Sequence, residues 1–241
     1  MKAALITGAS RGIGAAAARL FAENGYHVIV NYANSEEKAH ALCDEIEKNG
    51  GKATPVRADV TDRDDVRRMI SLCVYHCGGI DVLINNAGVD FYGTFGDTDG
   101  EVWDRVIGTD LTGVYNVTHA ALPELLESSG RIINVSSVWG VHGASCEVAY
   151  SAAKAGVIGL TKALSKELGP NGVTVNCVAP GYIDTDMNSR FGRQAVNNVI
   201  DRTPLCRIGT PEEVAKLMLW LCSPDSGFIT GQIIGIDGGF M

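Results

Sequence analysis

Short apolar runs alternate with longer amphipathic ones along the whole chain. Ala3–Thr7, His27–Tyr32, Ala53–Arg57, Val82–Asn85, Arg131–Val135, Thr174–Val178 and Ile233–Ile236 have the length and composition of strands. Several, such as Val28-Ile29-Val30, are apolar at consecutive positions, which fits strands covered on both faces. Between them lie helix signals: one helix opens at Gly12, one at Ser35 and one within Thr61-Asp62-Arg63-Asp64. Others are predicted over Trp103–Leu122 and Tyr150–Leu168. In Thr210-Pro211-Glu212-Glu213 a cap, a proline at the first helical position and a glutamate three residues after the cap agree on a last helix.

This alternation predicts an α/β fold of Rossmann type. It is a doubly wound parallel sheet of about seven strands, with helices on both faces and right-handed crossovers. Residues 1–241 read as one nucleotide-binding domain, with no linker or repeat. The stretch from Pro180 to Gly209 reads as long and irregular, and about 183–209 is the expected substrate lid.

The first strand runs into Thr7-Gly8-Ala9-Ser10-Arg11-Gly12-Ile13-Gly14. Glycines at 8, 12 and 14 permit a tight turn, bring backbone N–H groups close to a pyrophosphate and let the helix approach the sheet. On the first strand of such a sheet, Gly8, Ser10, Arg11, Gly12, Ile13 and Gly14 are therefore expected to bind a dinucleotide. The second strand ends Asn31-Tyr32-Ala33-Asn34-Ser35, without the carboxylate that accepts from a ribose 2′-hydroxyl. Asn31 and Tyr32, with the cation of Arg11, suit a 2′-phosphate, so NADP(H) is expected over NAD(H).

Tyr150 and Lys154, four apart in a predicted helix, share one face. A free phenol titrates near ~10, and a neighbouring ammonium, with the positive charge of an oxidised nicotinamide, favours the phenolate and lowers that value. Ser137, at the end of the apolar strand Ile132-Ile133-Asn134-Val135, belongs at the carboxyl edge of the sheet, where its hydroxyl could donate to a substrate oxygen. Ser136 competes for that role.

The net charge of −8 argues against a nucleic-acid partner and against docking on an anionic membrane. No apolar run reaches the ~18 residues of a membrane span, and Met1 leads directly into a strand without a signal peptide. Seven scattered cysteines are expected to be thiols in a reducing cytoplasm. Cys73, His76 and Cys77 lie at helical spacing but lack the further ligands of a tetrahedral set, so no metal is expected.

Thr-Gly-Ala-Ser-Arg-Gly-Ile-Gly, Asn85-Asn86-Ala87-Gly88, Tyr150-x-x-x-Lys154 and Pro180-Gly181, in this order and spacing, resemble the short-chain dehydrogenase/reductase family. Within it the chain looks most like the bacterial 3-oxoacyl-carrier-protein reductases. The resemblance implies that Asp59 and Val60 flank the adenine, and that Asn86, Ala87 and Gly88 lie beside the adenosine ribose. It further implies that Pro180, Gly181, Ile183 and Thr185 hold the nicotinamide amide. It selects Ser137 over Ser136, gives Tyr150 the proton transfer to a ketone oxygen, and has Lys154 also bond the nicotinamide ribose. A homodimer or homotetramer is implied as well, in keeping with the apolar circumference of the helices at Trp103–Leu122 and Tyr150–Leu168.

Two departures stand out. Asp110 occupies the position of the family's asparagine, as a fourth catalytic candidate that can serve through its backbone carbonyl or as a carboxylate beside Lys154. The stretches where carrier-protein reductases carry basic residues read Glu124-Leu125-Leu126-Glu127 and Gly169-Pro170-Asn171-Gly172. Arg190, Arg193, Arg202 and Arg207 in the lid are the possible substitutes. The substrate is therefore expected to be a carrier-bound 3-oxoacyl thioester or another ketone: a small metabolite, a sugar, a steroid or a protein-attached group. A catalytically silent nucleotide-binding scaffold is the alternative of another class. The loop Val138–Glu147 is expected to line the pocket, with Trp139 packing on substrate or core, and His142 and Cys146 as structural or lining residues.

Overall fold

A computed structural model describes residues 1–188 and 192–240; Arg190 lies outside them. Among the described residues the strands are β1 (Ala3–Ile6), β2 (His27–Tyr32), β3 (Lys52–Arg57), β4 (Val82–Asn85), β5 (Arg131–Val135), β6 (Thr174–Pro180) and β7 (Ile233–Ile236). They form a parallel sheet in the order β3-β2-β1-β4-β5-β6-β7. The helices are α1 (Gly12–Glu23), α2 (Glu36–Lys48), α3 (Arg63–Cys77), α4 (Gly100–Ile107) and α5 (Gly113–Glu127), then α6 (Val138–His142), α7 (Val148–Leu168), α8 (Arg193–Arg202) and α9 (Pro211–Leu221).

Successive strand residues point to opposite faces, which explains the unbroken apolar runs. Ile6, Val30, Ile84 and Ile133 meet α1, α2 and α9 through Phe21, Leu42 and Met218. Leu5, Ile29, Leu83 and Ile132 meet α3 and α5 through Met69, Val117 and Leu125 on the other face. The predicted fold class is the observed one. The last helix starts where the sequence places it: Glu213 N–H donates to the Thr210 hydroxyl at 3.3 Å, and Thr210 N–H donates to the Glu213 carboxylate at 2.9 Å.

Three segments differ from the sequence reading. The expected helix over Trp103–Leu122 is α4, a π-helical turn at Gly108–Thr112, and α5. That wide turn carries Asp110 inward to complete burial. α5 also continues past Pro123, because buried Leu125 outweighs the backbone bond that proline removes. The stretch Val138–Glu147 begins as the short helix α6, whose first turn is capped by Ser137. The irregular segment from Pro180 to Gly209 contains α8, whose apolar residues Ala195, Val196, Val199 and Ile200 recur at helical spacing within a polar composition.

Strand order reverses between β1 and β4, so the connections that follow them diverge and leave a crevice beyond their carboxyl ends. No helix among the described residues is long and apolar enough to cross a membrane.

Candidate active site

The crevice is a cleft of about 590 Å³, lined by every predicted cofactor residue except Gly14. Its floor is the turn after β1. Gly8 adopts φ +60°, and a Cβ there would stand 2.8 Å from Ala87 Cα. Gly14 lies behind the turn, where a Cβ would meet Asn86 Nδ2 at 2.6 Å and Gly8 O at 2.8 Å. Its service is close packing of α1, not direct lining. Asn86 Nδ2 donates to Thr7 O and Gly8 O, and the Thr7 hydroxyl accepts from the N–H groups of Asn86 and Ala87. Among the described residues no side chain caps the start of α1, where Arg11 sits in extended conformation. A glycine cradle facing uncapped helix N–H groups fits a dinucleotide pyrophosphate.

On the adenosine side, Asn31 is 1 % exposed. Its amide accepts from Gly8 N–H and donates to Val56 O and Ala58 O, so its side chain braces the glycine turn against β3. Tyr32 and Val60 are buried walls, and Asp59 is exposed with its carboxylate accepting from Thr61. Ser35 precedes α2 without capping it and lines the cleft, a contributor that sequence reasoning missed. Beyond β6, Gly181 N–H donates to Ile236 O, Ile183 is buried, and Thr185 packs over Gly12.

The reactive groups converge at the carboxyl edge of β5. Ser136 and Ser137 take opposite duties. Both line the cleft, but the Ser136 hydroxyl donates to Lys154 O at 2.9 Å, whereas Ser137 accepts from Trp139 N–H at 3.1 Å and is hydrogen-bonded to the Tyr150 phenol. The Lys154 ammonium donates to Val135 O at 3.0 Å and stands 5.5 Å from the centre of the Tyr150 ring. Asp110 Oδ2 lies 3.1 Å from the same ammonium, and Oδ1 accepts from Val89 N–H at 2.8 Å. It is the carboxylate of Asp110 that faces Lys154. Gly88 leaves room for the pair, since a Cβ there would be 2.9 Å from Asp110 Oδ2.

Burial pushes the Tyr150 phenol up; Lys154 opposes this, Asp110 adds to it, and the bond with Ser137 lowers it. Burial would also strip Lys154 of its proton, but Asp110 and Tyr150 outweigh that and hold the amine above its ordinary value. Burial raises Asp110, against the pull of Lys154 and of Val89 N–H. Lys154 thus pulls the phenol in the direction the sequence implies, and in the chain alone burial and Asp110 outweigh that pull.

A polar relay through the core holds α7 in register. Asn85 Nδ2 donates to Thr118 and Asn134, and Asn134 Nδ2 donates to Thr161 on α7. Buried amides within otherwise apolar strand runs were its only signal in the sequence. Phe240 and Arg105 also reach the cleft and were missed, because each arrives from a segment remote in sequence, while Val199 reaches it from within the expected lid.

The fold and the site define a short-chain dehydrogenase/reductase. The chain belongs to that family, as an NAD(P)-dependent oxidoreductase acting on CH–OH and C=O groups. A family model described as enoyl-(acyl carrier protein) reductase matches residues 8–241. The 3-oxoacyl-(acyl-carrier-protein) reductase FabG of Staphylococcus aureus is 44% identical over 99% of this chain and 97% of its own length. That of Thermotoga maritima is 44% identical over 100% of this chain and 98% of its own. A dehydrogenase/reductase from Sinorhizobium meliloti has a solved structure with a TM-score of 0.95 and 38% identity, covering 99% of this chain and 94% of that one. A short-chain dehydrogenase/reductase variant from Serratia marcescens follows at 0.94 and 34%, covering 99% and 97%.

Proposed function

We propose that the chain reduces the ketone of a carrier-bound 3-oxoacyl thioester with NADPH. The observation that carries this reading is the convergence of Ser137, Tyr150 and Lys154 beside the glycine cradle, in a chain 44% identical to two such reductases. The bound nicotinamide supplies a hydride to the carbonyl carbon. Ser137 then holds the carbonyl oxygen, and Tyr150 hydrogen-bonds it and delivers the proton as negative charge develops. Lys154, fixed by Val135 O and Asp110, keeps its charge beside the phenol and stabilises the phenolate left behind. A phenol that burial pushes above its ordinary value suits a proton donor, as the reducing direction requires.

Arg11 and the hydroxyl of Ser35 line the adenosine end, and Glu36 is turned into solvent beside His40. A cation and a free hydroxyl support a 2′-phosphate, hence NADP(H). Arg11→Ala is expected to weaken NADPH about tenfold while NADH is little changed. Equal losses for both cofactors would remove this assignment. The segment 183–209 serves as the substrate lid of one domain spanning 1–241. Exposed Tyr115, Val148 and Trp103 on α5, α7 and α4 support a homo-oligomer, dimer or tetramer, and seven free thiols support a cytoplasmic setting.

A second reading, the same chemistry on a ketone that no carrier presents, is favoured by one observation. Arg207 is tied to Glu213 at 2.6 Å and Arg202 stacks on Phe240, so these lid cations have partners within the chain. NADPH oxidation with acetoacetyl thioesters decides between the two. A higher kcat/KM for the carrier-bound form supports carrier recognition, equal values support the second reading, and no turnover of either removes the thioester assignment.

A further inference from the structure

Beyond β7 the chain turns through Gly238 and Gly239, at φ +67° and +83°, and brings Phe240 back into the cleft. The turn is held against the base of the lid. Leu205 N–H donates to Gly238 O at 3.2 Å, and a Cβ on Gly238 would meet Thr203 at 2.8 Å. There the Phe240 ring meets the indole of Trp139 edge-on, with centroids 5.9 Å apart and planes at 76°. The Arg202 guanidinium covers the Phe240 ring at 5.1 Å. Trp139 is also the residue whose N–H bonds the Ser137 hydroxyl, so this aromatic pair begins two residues from the group placed on the reacting oxygen.

We propose that Phe240 and Trp139 form the wall that limits the size of the ketone's apolar substituent. The inference rests on the functional reading above and deepens it. Three features argue for a specificity wall instead of plain core packing. Trp139 and Phe240 are only half-buried, and both line the cleft that holds Ser137 and Tyr150. Their edge-on contact offers aromatic surface to an apolar group. The cation stacked on the far ring closes the wall with a charge, which is costly to desolvate against a longer alkyl chain. The preferred ketone therefore carries a short or compact apolar substituent, and longer chains meet the two rings.

The test is a chain-length series of 3-oxoacyl N-acetylcysteamine thioesters, from four to twelve carbons, reduced with NADPH by the wild-type chain, Phe240→Ala and Phe240→Trp. Phe240→Ala is expected to raise the kcat/KM ratio of long to short substrates about tenfold, and Phe240→Trp to lower it, with the NADPH Kd moving less than about twofold. Trp139→Ala is expected to shift the ratio in the same direction as Phe240→Ala. An unchanged ratio in all three variants, or a loss equal at every length, overturns the wall. Calorimetric binding of the corresponding 3-hydroxyacyl thioesters in the presence of NADP reads the same ratio without turnover. A wild-type chain that reduced none of the series would thus overturn the functional reading, while the binding ratio still decided the wall.

Discussion

Asp110 and Lys154 form a buried ion pair: Oδ2 and Nζ are 3.1 Å apart, with the carboxylate fully enclosed and the lysine 3 % exposed. The carboxylate keeps the amine charged and offsets its influence on the phenol of Tyr150. Asparagine at this position would keep an acceptor for Val89 N–H and lose the charge.

Asp110→Asn is therefore expected to leave kcat at neutral pH within about tenfold, roughly 1.4 kcal/mol of barrier. The sign of the pH effect follows from the lost anion. Without it the phenolate is favoured, the folded pKa of Tyr150 falls, and the alkaline limb of the reduction profile moves to lower pH. A limb that moves upward, or a loss far beyond tenfold, would contradict this account. Asp110→Ala, which leaves a buried ammonium uncompensated, is expected to cost about 3 kcal/mol in denaturant unfolding.

Tyr150→Phe removes the proton donor and keeps the ring. Its kcat is expected to fall by about 10³, with the NADPH Kd changed less than about threefold in a fluorescence titration. Retained turnover would sink the proposed mechanism.

The two neighbouring serines separate catalysis from architecture. Ser137→Ala is expected to lower kcat by about 10²-fold through the lost donor to the substrate oxygen. Ser136→Ala loses its bond to Lys154 O and is expected to cost about 1 kcal/mol of stability, with the smaller effect on kcat. Steady-state kinetics beside thermal melts distinguish the pair, and a reversed pattern would reassign them.

Gly14→Ala places a methyl 2.6 Å from Asn86 Nδ2 and 2.8 Å from a backbone oxygen. It is expected to destabilise by about 2 kcal/mol and to weaken cofactor binding even though Gly14 does not line the cleft. Wild-type affinity in this variant would show that the loop tolerates the shift.

The reciprocal cap of α9 gives a prediction independent of the site. Thr210→Ala is expected to lose about 1 kcal/mol and 2–4 °C of Tm. Glu213 is held down to about 2, first by the bond from Arg207 and then by Thr210 N–H. Its contribution is complete above the usual carboxylate range and is lost as the pH falls through about 2. Glu213→Gln should therefore flatten the acid side of the Tm profile, and an unaltered profile would show that the ion pair adds nothing.

Local interactions determined what the sequence by itself reveals. Strand and helix periods, the glycine turn after β1 and the cap at Thr210 each involve residues close in the chain, so their physics is complete within a short window. The same holds for the shared face of Tyr150 and Lys154, four residues apart on α7. Tertiary structure alone decided the features that join distant segments. It put the Asn31 amide to work inside the fold, sent the Ser136 hydroxyl to Lys154 O, and brought Phe240 back beside Trp139. The charge balance at Tyr150 belongs to this second group. A π-helical turn delivers a buried carboxylate to Lys154 from forty-four residues upstream, and desolvation at a site depends on everything packed around it, which no sequence window contains.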